Sequence, residues 1–235
     1  MDFFNQQLGI AMKVAQGVAK ESKMAKGKVM PGELIYVIPL NTSKGTYEIN
    51  LATETGLTSI PLERRLEFRN NFIISAMAIG ALKVPIIGGV TMWGASVPVF
   101  HEDATIFNTA AGAASLSESQ AIAGLWMGKF SLQNNEEQKI IDFPTRGFRT
   151  VYQTQQGGVT DGTLGFPTVN QQDGNEYKSL GGIVKLAGGN QNKIILNIQT
   201  EDKTHLAGTA AAPNYIYIAM RGAYLRGGTI SELQK

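Results

Sequence analysis

The sequence predicts a mainly β protein: an antiparallel β-sandwich preceded by an N-terminal amphipathic helix. Three observations lead to this class. Short apolar segments of strand type alternate with turns rich in glycine and asparagine. No regular helical pattern separates these segments, as it would in an α/β fold. The apolar period changes near Pro31, from the 3.6 residues of a helix to the two residues of a strand.

Composition supports a β-rich protein whose surface is largely covered by neighbours. Only 17% of the 235 residues are charged, against roughly 25% in an average soluble domain, and 27 are glycine. The chain has no cysteine, which excludes disulfides, a thiol nucleophile and cysteine-held metal sites. Its net charge of +2 also argues against a broad nucleic-acid-binding face, because such faces cluster lysine and arginine.

Residues 1–30 are predicted to form a helical arm, and residues 31–235 a single β domain. Apolar side chains recur at helical spacing on one face of the arm, at Phe4, Leu8, Ala11, Ala15 and Val18. Three lysines lie away from the centre of that face, at Lys13, Lys20 and Lys23. This amphipathic helix is expected to pack on protein, either its own domain or a neighbour, or to contact anionic lipid or nucleic acid.

Two strands and a short helix are predicted after the arm. Residues 34–40 and 46–52 have strand character, and the second segment alternates apolar and polar side chains. Residues 61–68 predict a short helix that begins with proline in its first turn. Residues 72–84 are almost entirely apolar, a pattern that fits either a helix or a strand. Their isoleucines and the boundary signals at Asn70-Asn71 and Pro85 favour a long strand, buried on both faces.

The middle of the chain predicts short strands, a second short helix and a hairpin. The short strand candidates are residues 90–93, 97–100 and 104–108. Residues 115–118 have the capping-box pattern, which predicts a helix that extends to about residue 123. Residues 126–133 and 139–143 flank a polar turn and predict a hairpin.

Long polar segments interrupt the strands that follow. A strand over residues 149–155 precedes residues 157–182, which are predicted to form a binding, contact or insertion loop. Strands at residues 183–186 and 193–199 are predicted to flank a glycine-rich hairpin turn, and a second polar loop is predicted over residues 201–214.

Residues 215–225 are predicted to form the last strand, with a bend at Gly222. Tyr215 and Tyr217 fall on one face of this strand, and isoleucines fall on the other. Because both faces are apolar, the strand is expected to be covered on both sides, by a second sheet or by another subunit.

No motif predicts catalysis, a cofactor or a metal site, so the protein is not expected to be an enzyme. The densest group of residue types that bind metals is His101, Glu102 and Asp103. Because adjacent residues of a strand point to opposite faces, only His101 and Asp103 would lie on the same side. His205 lies in a polar segment and is interpreted as a surface residue. The glycine-rich residues 157–165 lack the lysine and hydroxyl residue of a phosphate-binding loop.

The order of elements carries a resemblance to a known family. A basic amphipathic arm precedes the β domain, residues 105–155 predict strand, helix, hairpin and strand, and residues 215–228 form a strand with a basic, glycine-bearing end. This arrangement resembles the jelly-roll coat proteins of small tailless icosahedral bacteriophages. The resemblance implies a single jelly-roll-like sandwich with the helical arm and two short helices, since about ten predicted strands are too few for two stacked rolls.

The resemblance also implies a function and partners. The protein would be a virion structural protein, assembled in the host cytoplasm, that forms an icosahedral capsid shell. Its partners would be many copies of itself and other virion proteins, with no small-molecule substrate. The arm would face inward, toward genome or an internal membrane. The residues expected to make the assembly, membrane or genome contacts are Phe4, Leu8, Val18, Lys13, Lys20 and Lys23.

Two other classes of β-sandwich fit the sequence. The first alternative is a carbohydrate- or receptor-binding module, such as a phage spike or tail domain, and the second is a hydrolase. Trp93 and Trp126 lie beside small residues and are expected to fill a core or interface, whereas an exposed tryptophan would stack on sugar rings. A coat protein should form large assemblies, and an enzyme should present converging titratable groups in a cleft.

Overall fold

The mainly β prediction is confirmed. The computed structural model describes residues 3–21, 29–53, 58–96, 98–100, 118, 120–133, 139–149, 176–189, 192–200 and 203–226. Strands dominate these ranges, helices are few, and the two large sheets are antiparallel. Several predictions lie outside the described residues, namely the strand at 104–108, most of the strand at 149–155, the loop over 157–175 and the group His101–Asp103.

One long helix and a series of strands make up the described chain. The helix α1 covers Phe3–Glu21. The strands, in chain order, are β1 (Val29–Pro39), β2 (Thr46–Asn50), β3 (Ala52–Thr53), β4 (Leu66–Glu67), β5 (Asn70–Lys83), β6 (Ile86–Ile87), β7 (Val90–Thr91), β8 (Lys129–Gln133), β9 (Lys139–Pro144), β10 (Lys178–Ala187), β11 (Lys193–Asn197), β12 (Gly208–Thr209) and β13 (Ala212–Arg226). Short 3₁₀ turns occur at Trp93–Ala95, Gly124–Met127 and Thr145–Phe148.

A five-stranded and a four-stranded sheet are packed against each other. The first sheet has the order β1-β13-β5-β10, with the short strand β12 also paired to β13, and the second has the order β2-β11-β8-β9. All of these pairs are antiparallel. Buried side chains of both sheets form one hydrophobic core, with Tyr36, Phe72 and Ile218 from the first sheet and Phe130 and Leu196 from the second. The prediction of a hairpin is confirmed by the β8–β9 pair.

Strand β5 is buried on both faces, as the sequence predicts for residues 72–84. Its pairing with β13 skips Ser75, which bulges out of the ladder and donates its hydroxyl hydrogen bond to the carbonyl of Arg221 over 3.0 Å. The bulge changes which residues face the shared core, so that Ile74 packs into it while Ile73 packs on the opposite side of the sheet. The register changes beside Gly222, where the sequence predicts a bend.

The helix predicted for residues 61–68 is wrong. These residues run beside β1, where Arg64 exchanges backbone hydrogen bonds with Ile35, and then enter the short strand β4. The carboxylate of Glu63 accepts a hydrogen bond from the backbone N–H of Val37 over 2.9 Å. The segment therefore covers the edge of β1. Its hydrogen bonds to the backbone groups of that edge outweigh the local helical preference.

Three other boundaries differ from the predictions. Strand β10 begins at Lys178, so the end of the loop predicted for residues 157–182 is strand. The glycine-rich turn does not close a hairpin, because β10 belongs to the first sheet and β11 to the second. The loop predicted for residues 201–214 contains β12 and the start of β13, which pair with each other.

The structure also differs from the predictions at the ends of the two predicted helical regions. Residues 120–123 are helical, but Trp126 lies in the following 3₁₀ turn and not in a strand. Strand β1 begins at Val29, so the predicted division between arm and β domain falls inside it. Pro31 is tolerated there because β1 is at the edge of its sheet.

Candidate assembly surfaces

The helix α1 packs on the outer face of the first sheet. Ala11 and Ala15 are fully buried against Ile73, Ala223 and Leu225 from the two central strands β5 and β13. Alanine has only a methyl side chain, so the helix backbone can lie close to the sheet. This contact explains how Ile73 and Leu225 are fully buried although they point away from the core between the sheets.

The predicted contact residues of the arm fall at different places on this helix. Leu8 is half-buried and Lys13 is exposed. Phe4, Val18 and Lys20 belong to α1, but their side chains lie outside the described part of the structure, as does the whole of Lys23. Among the described helices, none combines the length and apolar character needed to cross a membrane.

A polar network lies on the same outer face of the first sheet. Nε of Arg221 donates a hydrogen bond to the Glu33 carboxylate over 3.0 Å, and the Tyr177 hydroxyl donates to the same carboxylate oxygen. The Arg221 guanidinium also lies 3.7 Å from the centre of the Tyr177 ring. Burial, with the hydrogen bond to Glu33, raises the pKa of Tyr177. The network ties β1, β13 and the chain entering β10 together, and no sequence motif predicted it.

Half-buried aromatic rings cover the other end of this face. They lie over the buried side chains Val37 and Leu82. The ring centres of Trp93 and Tyr215 are 5.2 Å apart, and Tyr217 packs near this pair. Burial, followed by the nearby Glu33 carboxylate, raises the pKa of Tyr217 to about 12.

The alternation predicted for the start of β13 is confirmed. Ile216 and Ile218 are fully buried in the core between the sheets, while Tyr215 and Tyr217 lie on the outer face. Trp126 is fully buried and therefore has a core role.

A short hairpin formed by β6 and β7 exposes large apolar side chains. We call residues 86–92 the apolar hairpin. Gly88 and Gly89 form its turn with positive φ angles of 59° and 80°, a conformation that glycine adopts without strain. Ile87 and Val90 flank the turn with 63% and 62% of their surface exposed. Exposed apolar side chains of this kind mark an interaction site when they are contiguous.

The edge of the second sheet presents another apolar group. Strand β9 is the last strand of this sheet within the described residues. Ile140 and Phe143 on β9, and Met127 in the 3₁₀ turn before the neighbouring strand β8, are all exposed. A sheet edge with exposed apolar side chains is suited to contact with another chain.

The described residues contain no group of three or more histidine and carboxylate side chains that could hold a metal ion. His205 is half-buried in the turn before β12, and its backbone carbonyl accepts a hydrogen bond from Gly208. Its neighbours in sequence, Glu201 and Asp202, lie outside the described part, so the surface interpretation of His205 remains a prediction.

No protein-family model matches the chain, and its sequence matches no curated protein.

Proposed function

We propose that the chain is a virion structural protein with a single jelly-roll fold, which self-assembles into an icosahedral capsid shell. The pairing of the eight longest strands among the described residues carries the proposal. In chain order these strands are β1, β2, β5, β8, β9, β10, β11 and β13. The first pairs with the eighth, the second with the seventh, the third with the sixth and the fourth with the fifth. Such nested pairing, with four of these eight strands in each of two sheets, is the arrangement expected of a jelly roll.

The surface supports assembly from many copies. A fold by itself does not establish a function, so the step to a shell depends on what the fold exposes. The apolar hairpin and the β9 edge place exposed apolar side chains at two separate elements. The low fraction of charged residues also favours association, because charge is what normally keeps copies apart.

The arm has a defined place in this proposal. Its alanine face holds α1 on its own domain, while Lys13 on the same helix is exposed. We expect this basic side to face the inside of the shell, where anionic genome or lipid would be its partner. Other virion proteins and further copies of the chain are the remaining expected partners.

A carbohydrate- or receptor-binding module is the second candidate, and one observation favours it. Trp93, Tyr215 and Tyr217 form a half-buried aromatic surface on the outer face of the first sheet. Aromatic rings of this kind can stack on a sugar ring. In this case the protein would work as a small oligomer, and Trp93→Ala would abolish glycan binding.

The apolar hairpin gives the sharpest test of assembly. The double variant Ile87→Ser and Val90→Ser should keep the monomer fold, because both side chains are exposed, but should reduce particle formation in analytical ultracentrifugation. Gln199→Ser, at an exposed polar position, is the control and should assemble like the unmodified protein. If both variants assembled equally, the apolar hairpin would not be a contact between copies. Unmodified protein that remains small and binds glycans through Trp93 would favour the second candidate.

A further inference from the structure

A lysine, an asparagine and a glutamate meet at one end of the first sheet. Lys83 ends β5, and its register partner on the neighbouring strand β13 is Asn214. Glu118 comes from the segment before β8 and contacts both of them. One carboxylate oxygen of Glu118, Oε1, lies 2.8 Å from Nζ of Lys83 and 3.1 Å from Nδ2 of Asn214. A single oxygen therefore bridges an amine and a carboxamide on adjacent strands.

This group is almost completely removed from water. The side chains of Lys83 and Glu118 are 11% and 6% exposed, and Asn214 is fully buried. Nδ2 of Asn214 also donates to the carbonyl of Leu206 over 3.2 Å, which fixes the orientation of the amide. Oδ1 of Asn214 is buried with no hydrogen-bond partner among the described residues. A buried ion pair is a poor source of stability, and an unpaired buried carbonyl costs free energy, so stability alone does not explain the arrangement.

We propose that Lys83 and Asn214 form an intramolecular isopeptide bond, promoted by Glu118. Glu118 first takes a proton from the Lys83 ammonium, which leaves a neutral amine beside a neutral acid. The lone pair of Nζ attacks Cγ of Asn214, and Glu118 passes its proton to Nδ2. The bond between Cγ and Nδ2 then breaks, ammonia leaves, and Glu118 accepts a second proton from Nζ. The products are a secondary amide, free ammonia and a protonated Glu118, with no oxidant or reductant involved.

Two features of the site suit this reaction. Pairing of β5 with β13 holds nucleophile and carboxamide in one register, so the attack is intramolecular and carries little entropic cost. Exclusion of water prevents hydrolysis from competing with the amine. The bond would form once in each molecule and would join the two central strands of the first sheet covalently. It depends on these three side chains alone and not on shell formation.

Mass spectrometry of the full-length protein tests the proposal directly. The intact mass should be lower than the sequence mass by one ammonia, and digestion should release a branched peptide that links the segment of Lys83 to that of Asn214. Lys83→Arg and Glu118→Gln keep hydrogen-bonding side chains at the site and should restore the full mass. Lys129→Arg, in an exposed ion pair with Asp142, is the matched control and should retain the loss of ammonia.

The readouts separate this bond from other causes of the same mass change. An asparagine that cyclises to a succinimide also loses ammonia, but it yields no branched peptide and is indifferent to Lys83→Arg. Loss of mass without the branched peptide would therefore overturn the proposal. The proposal would also be overturned if the protein without substitutions kept its full sequence mass after prolonged incubation. That result does not depend on whether any variant folds.

Discussion

Replacing Ala15 by aspartate should release the helix α1 from the sheet. Ala15 is fully buried against Ile73, Ala223 and Leu225, none of which can pair with a carboxylate. An ionised carboxylate is not buried without a partner at an acceptable cost. The variant is therefore expected to keep its sheets folded and to leave the helix undocked.

The size of the effect follows from what the helix covers. Ile73 and Leu225 are both fully buried, and exposing an aliphatic side chain of this size costs about 1.5–3 kcal/mol. Undocking should therefore lower the free energy of unfolding by about 3–6 kcal/mol when both become exposed. Because whole domains are stable by only about 5–15 kcal/mol, this loss is large but does not by itself require global unfolding.

Urea denaturation and limited proteolysis measure the two consequences. Ala15→Asp should lower the unfolding midpoint and make α1 sensitive to protease, and it should impair assembly. Gln16→Asp introduces the same charge at an exposed position of the same helix and should change little. Leu8→Asp should likewise impair docking or assembly more than Gln7→Asp. Equal losses at Ala15 and Gln16 would refute the helix–sheet contact as the cause.

Three further predictions concern the body of the protein. Gly222→Ala places a Cβ 1.8 Å from the carbonyl oxygen of Ile73 and should cost about 1–3 kcal/mol in urea denaturation or prevent folding, whereas Gly147→Ala meets nothing within 4 Å and should be tolerated. The pKa of Tyr217 rises from 10.0 to about 12, so the folded protein keeps a proton that the unfolded chain loses, and stability should fall as pH rises through this window. Tyr217→Phe should reduce that alkaline loss of unfolding free energy. Elemental analysis of chelator-washed protein should find no stoichiometric metal.

The sequence was most informative where local pattern and burial coincide. In β2, Tyr47 and Ile49 are buried and their neighbours are exposed, as alternation predicts. Strand β5 is covered on both faces, by the second sheet and by α1, and the local pattern did not contain the bulge at Ser75 that sets which residues face each cover. The prediction for residues 61–68 was wrong because Glu63 and Arg64 form hydrogen bonds with backbone groups at the edge of β1. That edge belongs to a distant part of the chain, so the local pattern could not show it.

The candidate surfaces were harder to predict because exposure is decided by tertiary structure. Ile87 and Val90 are residue types that are typical of a protein core, and only their position beside the turn of the apolar hairpin exposes them. Lys83, Glu118 and Asn214 belong to no sequence motif, since strand pairing brings them together from separate parts of the chain. The local apolar period also does not show which strands pair, although the nested pairing is the basis of the proposed jelly-roll fold.

Electron microscopy of the purified full-length protein, combined with light scattering over a range of concentrations, tests the central proposal most directly. We predict closed particles of uniform diameter, with a scattering mass far above that of the 25.3 kDa chain. A homogeneous monomer at every concentration, with α1 and the apolar hairpin accessible to protease, would contradict it.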